Sequence, residues 1–520
     1  MKLKISLLVL VVIAVACKTT SNQTSSIKQQ PNIIYILADD LGYGDVQNYN
    51  PNGKIATPNL DQMAINGVKF TDAHTSSAVC TPTRYGILTG RYNWRSKLKS
   101  SVIGGYSKSL IKQERVTVAE MLKTQGYNTA YIGKWHLGWD WALQDGQTSI
   151  NLKKIKVEPK IDFKKPVTNG PTTHGFEYTF GFCGSLDMAP YVYIENDMPT
   201  MVPTTYTASK GQKFWRKGLT SEDFVHQTVL QDLTDKAVQY IDSKAKDNKP
   251  FFLYFPLPAP HTPILPSEAF LGKSNTNMYG DFVMQVDDVV GQIRKELKRQ
   301  GISENTLLVF TSDNGCSPKA DFETLAKFNH NPSGVYRGHK ADIFEGGHRV
   351  PFIIEWPAKA QKNKSTDKTI CTTDFFATCA ELTGHRIKDD EGVDSNSMLP
   401  LITKAKDIDI REYIVSHSIS GDFAIRKGDW KLITCPGSGG WSYPSPKDIR
   451  KQKLDLPKMQ LYNLKDDIGE TKNLIAVYPK KAEELKAALK KIILDGRSTL
   501  GTTQTNEGMD NWPQIEAIIN

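Results

Sequence analysis

Three continuous apolar runs of strand length recur along the chain, and polar or charged residues follow each of them. Residues 32–38 precede Asp39 and Asp40, residues 251–255 precede His261, and residues 306–312 precede Asp313 and Asn314. Such runs are typical of strands buried on both faces of a parallel sheet, and ligands gather at the carboxyl ends of those strands. The pattern therefore predicts three buried strands that deliver polar side chains where a ligand would bind.

Segments with helical periodicity separate these strands. Helices are predicted over 116–126, 223–244, 279–300 and 371–382, and further strands over 127–133 and 352–356. This alternation predicts an α/β protein with a mainly parallel sheet and helices on both faces. Beyond a polar link at 384–394, a hairpin over 423–433, a strand at 460–464 and a Lys-rich helix at 478–494 predict a smaller C-terminal unit.

Residues 80–91 have the local chemistry of a helix start. Thr81 can cap the helix, Pro82 suits its first position, and Gly90 suits the residue just past its end. The Cys80 side chain is then at the positive end of the helix, and Arg84 adds a full positive charge one turn inside. A reactive group at Cys80 would face an anionic substrate. The alternative is that Cys80 is a small buried apolar residue before an ordinary helix.

Length and charge narrow the class of protein. A chain of 520 residues exceeds one small core, so we expect one large and one smaller domain. The formal net charge is +9, but no basic block with interleaved aromatic residues is present, which argues against a nucleic-acid partner. The seven cysteines show no zinc-type spacing and predict no complete disulfide framework.

The N-terminus has the pattern of an export signal. Lys2 and Lys4 precede a short apolar run that ends at Ala16, and the residues before Cys17 resemble a bacterial lipoprotein cleavage box. We therefore expect a signal peptide over 1–17, a lipidated Cys17 and a flexible tether over 18–30. The protein would be held by its lipid in the periplasm or at the surface of a Gram-negative-type bacterium. Plain secretion is the alternative.

The stretch Cys-Thr-Pro-Thr-Arg at 80–84, followed by Thr-Gly-Arg at 89–91, resembles the signature of the sulfatases. The resemblance implies an alkaline phosphatase-like α/β/α sandwich with a large mixed, mostly parallel sheet. It also implies a small C-terminal α+β domain with a short antiparallel sheet. We place the catalytic domain at 31–384 and the C-terminal domain at 385–520.

The same resemblance implies roles for individual residues. A formylglycine-generating maturase would convert Cys80 to formylglycine, whose hydrated aldehyde supplies the nucleophile. A divalent cation, calcium rather than magnesium, would be bound by the modified Cys80 and by Asp39, Asp40, Asp313 and Asn314. Arg84, Lys134 and Lys340 would neutralise the sulfate. His136 would support the hydrated aldehyde, and His261 would protonate the leaving oxygen.

The substrate is less closely defined by the sequence. The aromatic-rich stretch 173–193 looks like a specificity region of carbohydrate-active sulfatases, with His174, Asp187 and Tyr191 as candidate sugar-binding residues. Loop packing by these side chains is the alternative. The expected substrate is a sulfated algal polysaccharide, such as ulvan, carrageenan or a related galactan, or a glycosaminoglycan. Two other functions stay open at this point: a phosphoester or phosphonate hydrolase of the same superfamily, and a non-catalytic glycan-binding surface lipoprotein.

Overall fold

The computed structural model of the protein describes residues 30–144, 159–403, 408–509 and 512–519. The predicted signal peptide, Cys17 and all but the last residue of the predicted tether lie outside these residues. In the described part of the chain, no helix is long and apolar enough to cross a bilayer. The six cysteines there, Cys80, Cys183, Cys316, Cys371, Cys379 and Cys435, are all unpaired and buried.

The chain folds into a ten-stranded sheet with helices on both faces and a smaller four-stranded sheet near the C-terminus. The strands are β1 Asn32–Ala38, β2 Val68–Phe70, β3 Ala73–His74, β4 Asn128–Lys134, β5 Tyr178–Phe182, β6 Ile194–Glu195, β7 Met198–Pro199, β8 Thr205–Ser209, β9 Trp215–Thr220, β10 Phe251–Pro256, β11 Thr306–Ser312, β12 Phe352–Glu355, β13 Lys364–Thr366, β14 Ile370–Cys371, β15 Ile414–His417, β16 Phe423–Lys427, β17 Trp430–Ile433 and β18 Gln460–Asn463. The helices are α1 Pro58–Asn66, α2 Cys80–Thr89, α3 Val118–Thr124, α4 Val229–Lys244, α5 Met278–Arg299, α6 Phe322–Lys327, α7 Glu345–His348, α8 Phe375–Thr383, α9 Leu399–Ile402, α10 Pro446–Gln452, α11 Pro479–Leu494 and α12 Glu516–Ile519.

The large sheet runs in the order β13-β2-β12-β11-β1-β10-β4-β5-β6-β7. Its central strands β11, β1, β10, β4 and β5 are parallel, and antiparallel pairs lie towards both edges. Strand β1 explains the continuous apolar runs. Its odd-numbered side chains, such as Tyr35, join the core on one face, and its even-numbered ones, such as Ile36, join the core on the other. The predicted α/β sandwich with a mixed, mostly parallel sheet is confirmed.

The C-terminal unit is also as predicted. Strands β15 to β18 form an antiparallel sheet in sequence order, and β16 and β17 are joined by the tight turn at Gly428–Asp429. Gly428 has a left-handed φ of 54°, which a glycine adopts without strain. Helix α11 packs its buried Leu485, Leu489 and Ile493 in the same core as this sheet.

Some predicted helix boundaries were wrong, and local hydrogen bonds explain two of them. Helix α3 begins at Val118 because the Thr117 hydroxyl accepts the N–H of Glu120 at 3.1 Å. Helix α8 begins at Phe375, since residues 370–371 are used as a strand paired with β3. Helix α4 begins at Val229, six residues later than predicted. Helix α5 differs from its prediction by one residue at each end.

Candidate active site

The polar residues that follow the central strands meet at one edge of the large sheet. Strand β1 lies between β10 and β11, and the register of the parallel pair places Ala38 opposite Ser312. The chain beyond these strands is held in the same register, because the N–H of Asp313 donates to the Ala38 carbonyl at 3.0 Å. Asp39 and Asp313 therefore emerge side by side at the carboxyl ends of their strands, as expected for a parallel sheet.

Three cationic side chains pair with the three carboxylates of this edge. Arg84 donates from Nε and Nη2 to Oδ2 of Asp313 at 3.0 and 2.7 Å. Lys134, the last residue of β4, contacts Asp39 at 2.5 Å, and Lys340 contacts Asp40 at 2.6 Å. We call these six residues, together with Asn314, Cys80, His136 and His261, the strand-end cluster. All ten are buried.

Several atoms of the strand-end cluster have no hydrogen-bond partner in the described chain although they are buried. They are Oδ1 of Asp39, Oδ2 of Asp40, Oδ1 of Asn314 and Nδ1 of His136. The Asn314 oxygen is oriented by its own amide, whose Nδ2 donates to Asp40 at 2.7 Å. Buried polar atoms usually have partners, and four unpartnered ones in a single cluster indicate a place where an ion, water or ligand can bind. Carboxylate and amide oxygens fit a hard divalent cation such as Ca²⁺ or Mg²⁺.

The carboxylates of Asp39 and Asp313 repel one another. Burial would raise the pKa of Asp39, but the charges of Lys134, His261 and Arg84 outweigh it and hold that pKa well below its usual value. For Asp313, burial and the neighbouring charge of Asp39 raise the pKa. A dication beside both carboxylates would remove this mutual repulsion.

Cys80 is the first residue of α2 and points into this cluster. Its sulfur and carboxylate oxygens of Asp39 and Asp313 lie within 4.8 Å of one another, and the residue is only 3% exposed. Burial raises the pKa of the thiol, although Lys134 and Lys340 act in the opposite direction. Helix α2 begins at Cys80 itself, so Pro82 is its third residue and not, as was predicted, its first. Gly90 follows the end of the helix with a left-handed φ of 61°, as predicted.

The predicted capping role of Thr81 was wrong. The residue before Cys80, Val79, occupies the cap position, and no side chain caps the helix. The Thr81 hydroxyl instead donates to the carbonyl of His136 at 3.0 Å. It thereby links α2 to the segment that follows β4.

The two histidines of the cluster are held by backbone carbonyls. Nε2 of His136 lies 2.8 Å from the carbonyl of Ile103, so this nitrogen carries the hydrogen and Nδ1 is the acceptor. Nδ1 of His261 lies 2.5 Å from the carbonyl of Thr262, and its Nε2 is 3.6 Å from Asp40. Burial lowers the pKa of both rings, reinforced by Lys134 at His136 and by Lys340 at His261.

The extended geometry predicted for Lys134 and His136 was only partly right. Strand β4 ends at Lys134, and His136 has a left-handed φ of 54°. The two side chains nevertheless both enter the cluster, because the turn re-aims the imidazole ring.

The sequence analysis did not single out Ser185. Its hydroxyl lies 3.3 Å from Nζ of Lys134 and 3.3 Å from Nδ1 of His261. Ser185 follows strand β5, which neighbours β4, so its position three residues after a buried strand is a signal that could have found it.

The comparisons with known proteins agree with this geometry. A family model described as Sulfatase matches residues 31–385, more than half of the chain. The chain belongs to the sulfatase family.

Curated and solved relatives extend the match over most of the chain. An N-acetylgalactosamine-6-O-sulfatase of Bacteroides thetaiotaomicron is 33% identical over 508 aligned residues, which cover 89% of this chain and 93% of that protein. Human arylsulfatase A is 29% identical, over 94% of this chain and 93% of its own length. A solved structure, described in connection with glycosaminoglycan metabolism by B. thetaiotaomicron, has a TM-score of 0.77 at 32% identity and covers 89% of this chain and 99% of that one. This sulfatase is accordingly a sulfuric ester hydrolase.

Of the three candidate sugar-binding residues of the sulfatase, the structure brings Asp187 to the cluster. Asp187 lies two residues after Ser185, whose hydroxyl contacts both Lys134 and His261. Burial would raise the pKa of the Asp187 carboxyl, but the charges of His261 and Arg216 outweigh it and lower that pKa. Arg216 of β9 contacts one carboxylate oxygen of Asp187 at 2.5 Å, whereas the other oxygen, Oδ1, has no partner in the described chain. Arg216 was not predicted, since only the tertiary pairing with Asp187 reveals it.

His174 and Tyr191 are held in the interior instead. His174 is fully buried, its ring contacts the hydroxyl of Ser109 at 3.4 Å, and burial lowers its pKa to about 4. Tyr191 is 1% exposed and its hydroxyl donates to the carbonyl of Arg216 at 2.7 Å. The structure therefore does not bring these two side chains to the strand-end cluster.

A second buried group of charges lies between the large sheet and the C-terminal sheet. We call it the junction cluster, and it consists of Asp72, His74, Glu345, His348, Arg349, Arg426, Lys431 and Glu470. The nitrogen and carboxylate atoms of His74, Glu345 and His348 come close enough together to suggest a metal site. Each of these atoms already has a partner, however. The two Nδ1 atoms are 3.0 Å apart, and Lys431 and Arg349 contact the two oxygens of Glu345 at 2.9 and 3.1 Å.

Proposed function

We propose that this sulfatase removes sulfate esters from carbohydrates. The observation that carries the proposal is the strand-end cluster, in which unpartnered oxygens and three buried cations surround Cys80. The N-acetylgalactosamine-6-O-sulfatase relative favours glycosaminoglycan oligosaccharides with a 6-O-sulfated galactosamine as the first substrates to test. Sulfated algal polysaccharides such as ulvan, carrageenan or related galactans are the next.

In this proposal Asp39, Asp40, Asp313 and Asn314 hold a divalent cation, with Ca²⁺ preferred over Mg²⁺. Three unpartnered oxygens of this set, on Asp39, Asp40 and Asn314, support the assignment. The set consists of oxygen atoms, which are the ligands of both cations, and calcium accepts irregular geometry more readily. When bound, the cation supplies positive charge against the sulfate oxygens.

Cys80 would be converted to formylglycine by a maturase before the enzyme acts. One hydroxyl of the hydrated aldehyde would attack sulfur as the bond between sulfur and the sugar oxygen breaks. Loss of the proton from the second hydroxyl would then expel sulfate and restore the aldehyde. The buried, protonated thiol supports the need for such a change, because the thiol form is a weak nucleophile. His136 would accept a hydrogen bond from this group at its free Nδ1 and hold it in position.

The buried cations would neutralise charge on the transferring sulfate. Lys134 and Lys340 each have a carboxylate partner, so they are already fixed in place before the substrate arrives. Arg84 is fixed in the same way by Asp313. His261 would give a proton to the leaving sugar oxygen, and the negative charge of a bound sulfate would favour the protonated ring that this step requires.

Asp187 and Arg216 would bind the sugar beside the sulfate. The free Oδ1 of Asp187 is buried next to the cluster and suits a sugar hydroxyl donor. Arg216 keeps 54% of its side chain exposed and would hold the Asp187 carboxylate in position for this contact. For the remainder of the chain we propose export, with Cys17 lipidated and the enzyme held in the periplasm or at the cell surface.

The test is sulfate release from a panel of sulfated mono- and oligosaccharides. The enzyme would be co-expressed with a formylglycine-generating partner, and mass spectrometry of the Cys80 peptide would confirm the modification. We expect release from at least one sulfated sugar and none from a Cys80→Ala control. No release by enzyme with confirmed formylglycine, with activity on phosphate or phosphonate esters instead, would contradict the proposal.

A further inference from the structure

Two aromatic side chains project from the loop at 434–445, between β17 and α10. Trp441 is 47% exposed and Tyr443 is 64% exposed. The Trp441 ring forms no ring contact and its indole N–H no hydrogen bond with the part of the chain that the structure describes. Two exposed aromatic rings only two residues apart are a candidate for a binding surface.

The loop is fixed to the segment that carries Lys340. The backbone N–H groups of Trp441 and Ser442 donate to Oδ1 of Asp342 at 2.7 and 3.0 Å. Asp342 is fully buried and lies two residues after Lys340, whose ammonium group enters the strand-end cluster. The intervening Ala341 donates to the carbonyl of Ala78, two residues before Cys80, at 2.8 Å. The aromatic pair is therefore attached rigidly to the backbone around the active site.

A basic surface continues from the aromatic pair. The residues from α10 to the start of β18 include Lys447, Arg450, Lys451, Lys453 and Lys458, all of them exposed, against only Asp448 and Asp455. Within the described ranges, none of the five bases forms an ion pair shorter than 4 Å. Tyr443 joins the two surfaces, since its hydroxyl lies 3.4 Å from the side chain of Gln452 in α10.

We infer that Trp441, Tyr443 and the bases of α10 form a subsite for additional units of a sulfated oligosaccharide, outside the pocket where the ester is cleaved. Aromatic rings stack on the apolar faces of sugars, and the bases would pair with sulfate groups along the same chain. A neutral glycan would not form ion pairs with the bases, and a small anion would not stack on the aromatic rings. The inference rests on the proposed function only for the identity of the sulfated sugar that binds at the strand-end cluster.

The test measures binding by calorimetry, without turnover, in the full chain carrying Cys80→Ala. The probes are hexasaccharides of chondroitin 6-sulfate and of κ-carrageenan, with 6-sulfated N-acetylgalactosamine as the one-unit reference. We expect at least one hexasaccharide to bind more tightly than the monosaccharide. The pair Trp441→Ala and Tyr443→Ala should weaken that hexasaccharide at least about fivefold and leave the monosaccharide unchanged.

A second variant tests the basic part of the surface. Lys447→Gln, Arg450→Gln and Lys451→Gln together should weaken hexasaccharide binding and reduce its salt dependence. Matched controls are Tyr478→Ala, an aromatic residue of equal exposure, and the exposed set Lys465→Gln, Lys472→Gln and Lys480→Gln, which removes the same charge elsewhere.

Either of two results would overturn the inference. One is that neither hexasaccharide binds more tightly than the monosaccharide, and the other is that the aromatic variant binds like its Tyr478→Ala control. Because binding is measured without turnover, absence of sulfate release by the modified enzyme would count against the proposed function and not against this surface.

Discussion

The strand-end cluster and the junction cluster contain the same kinds of charge in the same numbers. Each has three carboxylates, three cationic side chains and two histidines, and nearly all of these side chains are buried. The two clusters differ in how many of their buried polar atoms lack a hydrogen-bond partner. The strand-end cluster leaves one oxygen on each of Asp39, Asp40 and Asn314 and a nitrogen of His136 without a partner. In the junction cluster, His74, Glu345 and His348 have every polar atom engaged.

This difference shows that buried charge alone does not identify a binding site. A buried polar atom without a hydrogen bond costs about 1–3 kcal/mol, so a ligand that contacts the four unpartnered atoms of the strand-end cluster would gain binding free energy. A divalent cation bound there would contact these oxygens and offset the negative charges of the carboxylates and of a sulfate ester. In the junction cluster, by contrast, the polar atoms of His74, Glu345 and His348 are engaged within the fold, and the cluster joins the C-terminal sheet to the large sheet.

The largest effect is expected from Cys80, the proposed nucleophile position of the strand-end cluster. Cys80→Ala should lower sulfate release at least about a thousandfold, because the attacking group is removed. The melting temperature should stay close to that of the wild type, since the residue has no charge partner. Sulfate release and thermal unfolding of the same preparation check this. Retention of full activity would contradict the role of Cys80.

A substitution in the junction cluster should lower stability and leave activity unchanged. Lys431→Met leaves Glu470 buried without its ammonium partner and leaves Glu345 with its arginine partners only. It should lower the free energy of unfolding by about 3–5 kcal/mol. Activity per folded molecule should change little. Denaturant unfolding measures the effect, with Lys427→Met as the control, since Lys427 lies on the neighbouring strand β16 and its side chain is 41% exposed. Equal stability of the two variants would show that the junction cluster is not structural.

Removal of metal should affect only the strand-end cluster. Chelation should lower sulfate release at least about tenfold, and calcium should restore it. Calcium at a hundred times its Kd should also stabilise the protein by about 2.7 kcal/mol, because it binds only the folded state. An Asp40→Asn variant is the control and should lose most of this response. Unchanged activity and melting temperature after exhaustive metal removal would contradict the cation site.

The smallest effect concerns pH and the histidines of the junction cluster. Burial lowers the pKa of His74 and of His348, with Lys431 contributing at His348 and with Glu345 opposing at both. Below the unfolded value of about 6.5 the unfolded chain then binds more protons than the folded one. The resulting stability is present above that pH and is lost as the pH falls, by at most about 1.4 kcal/mol per pH unit for each histidine.

A His74→Asn variant tests this assignment. Its melting temperature should fall less steeply than that of the wild type between pH 7 and pH 5. The charged neighbours Asp72, Glu345, Arg349, Arg426 and Lys431 are common to both proteins, so the difference in slope belongs to the histidine. If the melting temperatures of the two proteins fall equally steeply with pH, His74 is not responsible for the acid sensitivity.

Much of the fold and of the site could be predicted from local patterns. Continuous apolar runs predicted the central parallel strands. A strand that is covered on both faces buries every side chain, so apolar and polar residues do not alternate along it. The residues directly after those runs, Asp39, Asp40, Asp313 and Asn314, could be grouped for the same reason. The resemblance to sulfatases added Lys134, His136, His261 and Lys340, and the structure places all four in the strand-end cluster.

Only the tertiary structure decided which polar side chains face the site and which serve packing. Asp187 and Tyr191 come from one aromatic-rich stretch, yet a free oxygen of the first borders the cluster while the hydroxyl of the second is bonded within the fold. Ser185, Arg216 and the eight residues of the junction cluster carry no local signal of equal strength. Their roles depend on contacts between segments far apart in the chain, and such contacts exist only after the sheet has set the register and the C-terminal unit has packed against it.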